Sequence, residues 1–141
     1  MFQINFKKSK EIKVELRDDQ WEELCSKETI KEACQKNGVF AFDIYDGETL
    51  IGFAMFVRWK GTHFLWNYAI DKQHQNKGYG TAALYALFQY MKKRHKSKKI
   101  TTTYIWGNDI AKHVYEKVGF VETDVVVDDD YKEVNMKILL D

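Results

Sequence analysis

Apolar and polar positions along the chain follow two periods, about two residues in several short stretches and about 3.6 in two longer ones. Residues 11–17 (EIKVELR) alternate strictly and predict a first strand. Asp18 or Asp19 then opens a helix with Trp21, Leu24 and Cys25 on one face. A second helical stretch runs through Ile30, Ala33 and Cys34 to Asn37-Gly38. Residues 39–45, an Asp46-Gly47 turn and residues 50–59 predict a hairpin. Residues 64–70 (FLWNYAI) are apolar on both faces apart from Asn67, as an interior strand would be. A helix from Gly80 to about His95 carries Leu84, Leu87, Phe88 and Met91 at i, i+3, i+4 and i+7, a core stripe. Residues 100–106 predict a strand and residues 108–117 a short helix stopped by Gly119. Residues 121–127 and 134–140 predict two further strands joined by an acidic turn. Strand, helices, three antiparallel strands, helix, strand, helix, two strands is the order of a mixed α/β domain. No repeat, low-complexity tract or Gly/Ser linker interrupts it, so residues 1–141 read as a single domain.

Composition adds little to this picture. Apolar types make up 45% of the 141 residues and aromatics 15%, too many for a disordered chain. Cys25 and Cys34 are the only cysteines, and zinc needs more ligands at tighter spacing, so no metal site is expected. Two reduced thiols in a cytoplasmic protein are the simpler expectation. Residues 1–8 lack the apolar run and cleavage site of a signal peptide, and no stretch approaches about 18 consecutive apolar residues. Neither a membrane span nor membrane binding is therefore expected.

The net charge of +1 conceals two opposed regions. Between Lys72 and Asn108 stand Lys72, Lys77, Lys92, Lys93, Arg94, Lys96, Lys98 and Lys99, with no acid among them. Residues 121–141 carry Glu122, Asp124, Asp128, Asp129, Asp130, Glu133 and Asp141 against Lys132 and Lys137. The basic stretch suits a polyanionic ligand, although Lys92 to Lys99 also reads as a solvated helix end. Nucleic acid is not an expected partner, because no recognised binding motif accompanies the basic run.

The segment richest in chemistry is Gln75-Asn76-Lys77-Gly78-Tyr79-Gly80-Thr81-Ala82-Ala83. It lies between an apolar strand and an amphipathic helix, where free backbone N–H groups and the helix dipole can hold a phosphate. Glycine at 78 and 80 lets the backbone approach a ligand closely. GYGTAA also fits a loose dinucleotide fingerprint, but that reading needs an acid about 20 residues on, and after Asp71 the next acid is Asp109. A P-loop is excluded, since Gly-Lys-Ser/Thr is absent.

QNKGYG and the order of elements resemble the Gcn5-related N-acetyltransferase (GNAT) superfamily, whose pyrophosphate loop reads Gln/Arg-x-x-Gly-x-Gly/Ala. A second match is Asn108-Asp109-Ile110-Ala111-Lys112-His113-Val114-Tyr115-Glu116-Lys117-Val118-Gly119-Phe120, similar to the superfamily's N-x-x-A-x-x-x-Y-x-x-x-G-F segment. The resemblance implies an α/β (α+β) GNAT-like domain with a mixed, mostly antiparallel sheet. Its splayed parallel strands, 64–70 and 100–106, would hold acetyl-CoA. Backbone groups of Tyr68, Ala69 and Ile70 would line the pantetheine and acetyl carbonyl. Gln75, Asn76, Lys77, Gly78, Tyr79, Gly80 and Thr81 would wrap the pyrophosphate, and Asn108 would bond the pantetheine arm. Tyr115 matches the superfamily's frequent general acid, which would protonate the departing CoA thiolate. Homodimers are common among similar enzymes.

The resemblance leaves the base and the acceptor open. Many members place a carboxylate on the strand before the loop, where this chain has Trp66 and Asn67. His113 reads as an exposed helix residue, His74 as the loop edge and His63 as a turn residue; no base is assigned. GETLIGFAMF and the later motifs look most like the bacterial spermine/spermidine acetyltransferase-like branch. With the acidic 128–130 turn, this favours a small-molecule amine, a polyamine or diamine, as acceptor. Trp59, Trp66, Trp106, Tyr45 and Tyr68 either line an acceptor pocket or fill the sheet core. A catalytically idle CoA-binding domain and an acetyltransferase acting on a protein lysine or N-terminus are the competing readings.

Overall fold

The computed structural model describes residues 1–140. Its strands are β1 (Ile4–Lys8), β2 (Val39–Asp46), β3 (Thr49–Trp59), β4 (Thr62–Ile70), β5 (Lys99–Ile105), β6 (Val121–Val127) and β7 (Lys132–Leu139). Its helices are α1 (Asp18–Trp21), α2 (Lys27–Ala33), α3 (Tyr79–His95) and α4 (Asp109–Val118). One sheet runs β1-β2-β3-β4-β5-β7-β6, antiparallel throughout except for the parallel pair β4/β5. This is the mixed, mostly antiparallel α/β architecture expected, and apart from the first strand the predicted strands and longer helices fall within a few residues of the observed ones.

The first strand does not stand where alternation put it. Residues 11–17 bend at Glu11 and Val14 and pair with no strand; β1 is Ile4–Lys8 instead, antiparallel to β2. Alternation reported a real buried face, since Ile12 and Val14 are buried against the sheet. Ladder membership depends instead on where the backbone groups find partners. At Glu15 the carbonyl accepts from the Lys72 amide at 2.8 Å and the amide donates to Asp71 Oδ2 at 3.0 Å. The segment thus lies across the sheet and meets the end of β4. The first helix is also shorter than expected, a single turn at Asp18–Trp21.

Strand periodicity of two distributes the apolar side chains over both faces of the sheet. On one face Phe42, Ile44, Ile51, Ala54, Phe56 and Leu65 pack with the α3 stripe Leu84, Leu87, Phe88 and Met91, all buried as predicted. On the other, Ala41, Phe53 and Met55 pack with Ile12, Val14 and the α2 residues Ile30 and Ala33. Two cores thus clamp the sheet and hold β4 in the middle. His63, expected in a turn, is the second residue of β4 and 1% exposed. Trp59 and Trp106 are surface residues, 68% and 54% exposed, so neither fills the core.

Candidate active site

Strands β4 and β5 keep register only over His63↔Ile100 and Phe64↔Thr101. The Thr102 hydroxyl then donates to the Leu65 carbonyl at 3.0 Å, and beyond it the strands part. Trp66 is the extra residue of a β-bulge between the pairs Phe56↔Leu65 and Met55↔Asn67, which bends β4 where the divergence begins. The splay opens a cavity of about 630 Å³, a size typical of small-molecule sites.

One wall is the glycine loop. Gln75 Nε2 donates to the Ile70 carbonyl at 3.0 Å, and Gln20 Nε2 donates to the same oxygen at 2.9 Å, tying loop and α1 to the end of β4. Asn76 and Gly78 adopt left-handed φ values of 62° and 90°, which asparagine and glycine tolerate. Helix α3 then starts with no side-chain cap and no acid in its first turn. Ala82 is the first residue whose amide finds an acceptor, the Gly78 carbonyl at 3.1 Å. The amides of Tyr79, Gly80 and Thr81 are left at the positive end of the helix dipole, beside the cavity, an arrangement that favours an anion. From outside, the Tyr79 hydroxyl donates to Asp46 Oδ2 at 2.6 Å and the Phe2 ring stacks on Tyr79 at 4.3 Å, bracing the loop.

The opposite wall comes from α4. Asn108 caps this helix, its Oδ1 accepting from the Ala111 amide at 3.1 Å, while its Nδ2 donates to Glu23 Oε1 at 2.6 Å. Two turns on, Tyr115 reaches the cavity. Burial pushes its phenol up to about 12, the Glu23 charge adds to this, and a hydrogen bond with the Thr102 side chain works against it. A second phenol, Tyr68, is raised well above its ordinary value by burial and then by Tyr115, and its hydroxyl donates to the Gly80 carbonyl at 2.6 Å. The Tyr68 proton is therefore committed to the Gly80 carbonyl, whereas Tyr115 lines the cavity beside Thr102.

The fold gathers most of the residues singled out from sequence. Tyr68, Ala69, Ile70, Gln75, Asn76, Gly78, Tyr79, Gly80, Thr81, Asn108 and Tyr115 all line the cavity; Lys77 is exposed on the loop and lies outside the lining. Trp66 and His74 line it too, and Trp59, Trp106, Tyr45, His63 and His113 do not. The two densest charge runs do not line it: Lys92 to Lys99 cluster at the far end of α3, and Asp128, Asp129 and Asp130 are exposed at the β6–β7 turn. Asn67 is 1% exposed and accepts the Cys25 amide at 2.9 Å, a structural tether rather than a cavity group. Sequence reasoning missed the cavity residues at and just after α1, namely Arg17, Asp19, Gln20 and Glu23. The available signal was the i,i+4 spacing of Asp19 and Glu23 opposite Trp21, Leu24 and Cys25.

A sequence profile of the Acetyltransferase (GNAT) family matches residues 7–120. The probable spermine N(1)-acetyltransferase of Bacillus subtilis subsp. natto (strain BEST195) is 33% identical over 84 residues, covering 54% of this chain and 55% of that protein. The chain thus spans about half the length of this curated relative. Spermidine N-acetyltransferase from Vibrio cholerae, solved with CoA and spermine, superposes with a TM-score of 0.70 at 23% identity, over 80% of this chain and 72% of that one. Ribosomal-protein-S18-alanine N-acetyltransferase from Escherichia coli superposes with a TM-score of 0.73 at 19% identity, over 98% and 94% of the two chains. At these identities the two structures share the fold.

Proposed function

Because the chain belongs to the GNAT acetyltransferase family, we propose that it moves an acetyl group from acetyl-CoA to a primary amine, with polyamines and diamines first among acceptors. One observation carries this reading. The β4/β5 splay brings the free amides of Tyr79, Gly80 and Thr81 and the phenol of Tyr115 into one cavity.

The residues present fit acetyl-CoA. The unpaired amides at the start of α3 suit a pyrophosphate, and a Cβ on Gly80 would meet only Val114 and Ile70 at 3.8 and 3.9 Å, so packing does not demand a glycine there. Close approach of a ligand does. Gln75, Asn76 and Lys77 flank that cradle, with Lys77 adding its charge from the loop surface. Tyr68, Ala69 and Ile70 form the β4 edge along which a pantetheine arm would run, and Asn108 keeps a second amide hydrogen for it. Acetyl-CoA supplies an activated acyl group and a thiolate leaving group. Tyr115 is protonated at neutral pH and holds the proton that a departing sulfur needs.

Support for a polyamine acceptor comes from the relative named a probable spermine acetyltransferase and from cavity carboxylates at Asp19 and Glu23. The test is thiol release from acetyl-CoA across polyamines, amino sugars, amino acids and peptides beginning with alanine. Turnover is expected to be fastest with diamines and polyamines. Preference for the peptides would move the acceptor to a protein N-terminus. CoA binding with no thiol release from any amine would leave an idle CoA-binding domain.

A further inference from the structure

The cavity wall holds a carboxylate with no cation to answer it. Glu23 follows α1, half buried in the lining. Asn108 Nδ2 donates to its Oε1 at 2.6 Å and the Ile105 amide donates to the same oxygen at 3.3 Å. Among the described residues, Oε2 has no hydrogen-bond partner, and no lysine, arginine or histidine forms an ion pair with Glu23. The other lining acid differs: Asp19 is bonded by Arg17 at 2.9 Å. A half-buried carboxylate with one free oxygen, on a residue that lines a cavity, is an incomplete ion pair, and a cationic ligand would complete it.

Its placement says which part of a ligand would do so. Asn108 grips Glu23 with its amide nitrogen while capping α4 with its amide oxygen, and α4 also carries Tyr115. The carboxylate and the phenol are thus referenced to the same helix, and the Glu23 charge is felt at the Tyr115 hydroxyl. The glycine loop, with its anion-favouring amides, forms the other wall. The cavity is therefore polarised, amides on one side and a free carboxylate on the other.

We propose that Glu23, through Oε2, binds an ammonium group of the acceptor and selects cationic amines over neutral or anionic ones. The proposal rests on the acetyltransferase reading above and gives the cavity a carboxylate that β4, with Trp66 and Asn67, does not. It also moves the recognising charge away from the exposed 128–130 turn.

Glu23→Gln isolates the charge, because the glutamine oxygen can still accept from Asn108 and Ile105. The Gln form is expected to melt within about 2 °C of the parent and to keep its KM for acetyl-CoA within about twofold. Its kcat/KM for spermine should fall roughly 10- to 100-fold, mainly through KM, the loss expected when a charged hydrogen bond is removed. Added NaCl should weaken spermine use by the parent and leave the Gln form nearly unaffected. If the Gln form melts early, Glu23→Asp replaces it: the salt dependence must persist while KM for spermine rises. An unchanged spermine KM and salt dependence in Glu23→Gln would overturn the proposal. Calorimetric titration of spermine into the protein with CoA bound separates the two readings. Binding that Glu23→Gln abolishes, without turnover by the parent, would sink the acetyltransferase reading and sustain the ammonium site. If the parent binds no spermine, the proposal falls whatever the turnover with other amines.

Discussion

Tyr115 and Tyr68 show how two identical side chains in one cavity acquire different chemistry. Both phenols are raised by burial, but Tyr68 spends its proton on the Gly80 carbonyl at 2.6 Å. Tyr115, pushed up to about 12, stays protonated throughout any practical assay range and can give its proton to a leaving group. Tyr115→Phe is therefore expected to lower kcat by about 10²-fold or more while leaving the acetyl-CoA KM within about threefold. Steady-state kinetics at saturating amine would check this, and an unchanged kcat would remove Tyr115 from the chemistry. Tyr115 was legible in the sequence because a positional motif carries it. Glu23 was not, because its importance comes from the approach of two segments far apart in sequence, residue 23 and residues 105–108, and the i,i+4 spacing with Asp19 says nothing of that approach.

At the scale of elements, the start of α3 concentrates the binding argument. Helix and loop meet without a cap, so three amides stay free, and Gly80 sits where a methyl would touch nothing closer than 3.8 Å. Alanine favours a helix over glycine by about 1 kcal/mol. Gly80→Ala should therefore leave the melting temperature equal or slightly higher, yet weaken acetyl-CoA binding by roughly tenfold as the new methyl enters the ligand's approach. Paired thermal melts and calorimetry would show the opposite signs, and a variant losing neither would place the ligand elsewhere. The α3 stripe and the hairpin were legible because their periods persist over two turns or several residue pairs. The first strand was not. Residues 11–17 bury one face without a ladder partner, while Ile4–Lys8, with only Ile4 and Phe6 as apolar marks, pairs with β2. Periodicity reports a buried face, and only the tertiary arrangement of backbone partners makes it a strand.

Across the whole molecule, the two ends of β4 are built for opposite purposes, an open polar cavity at one and a closed aromatic cluster at the other. At the closed end His63 is 1% exposed, with the Phe40 and His95 rings at 5.8 and 6.0 Å. Ser97 donates its hydroxyl to the Lys99 carbonyl at 3.2 Å, so its oxygen accepts the Nδ1 proton of His63 at 2.8 Å. That leaves Nε2 bare, buried and without a partner. Burial first, then the charges of His95 and Arg58, lower the His63 pKa to about 4. An unfolded chain takes up this proton near the ordinary value of about 6.5, well before the native one does. The stabilisation is complete above that ordinary value and is lost as pH falls from about 6.5 towards 4, on the order of 3 kcal/mol by the lower limit. Urea unfolding at pH 7.5, 6, 5 and 4.5 should show this decline. His63→Gln, less stable at neutral pH for want of a good Ser97 contact, should lose less on acidification, because it has no ring nitrogen to protonate. Parallel declines in the two proteins would assign the acid sensitivity to other groups.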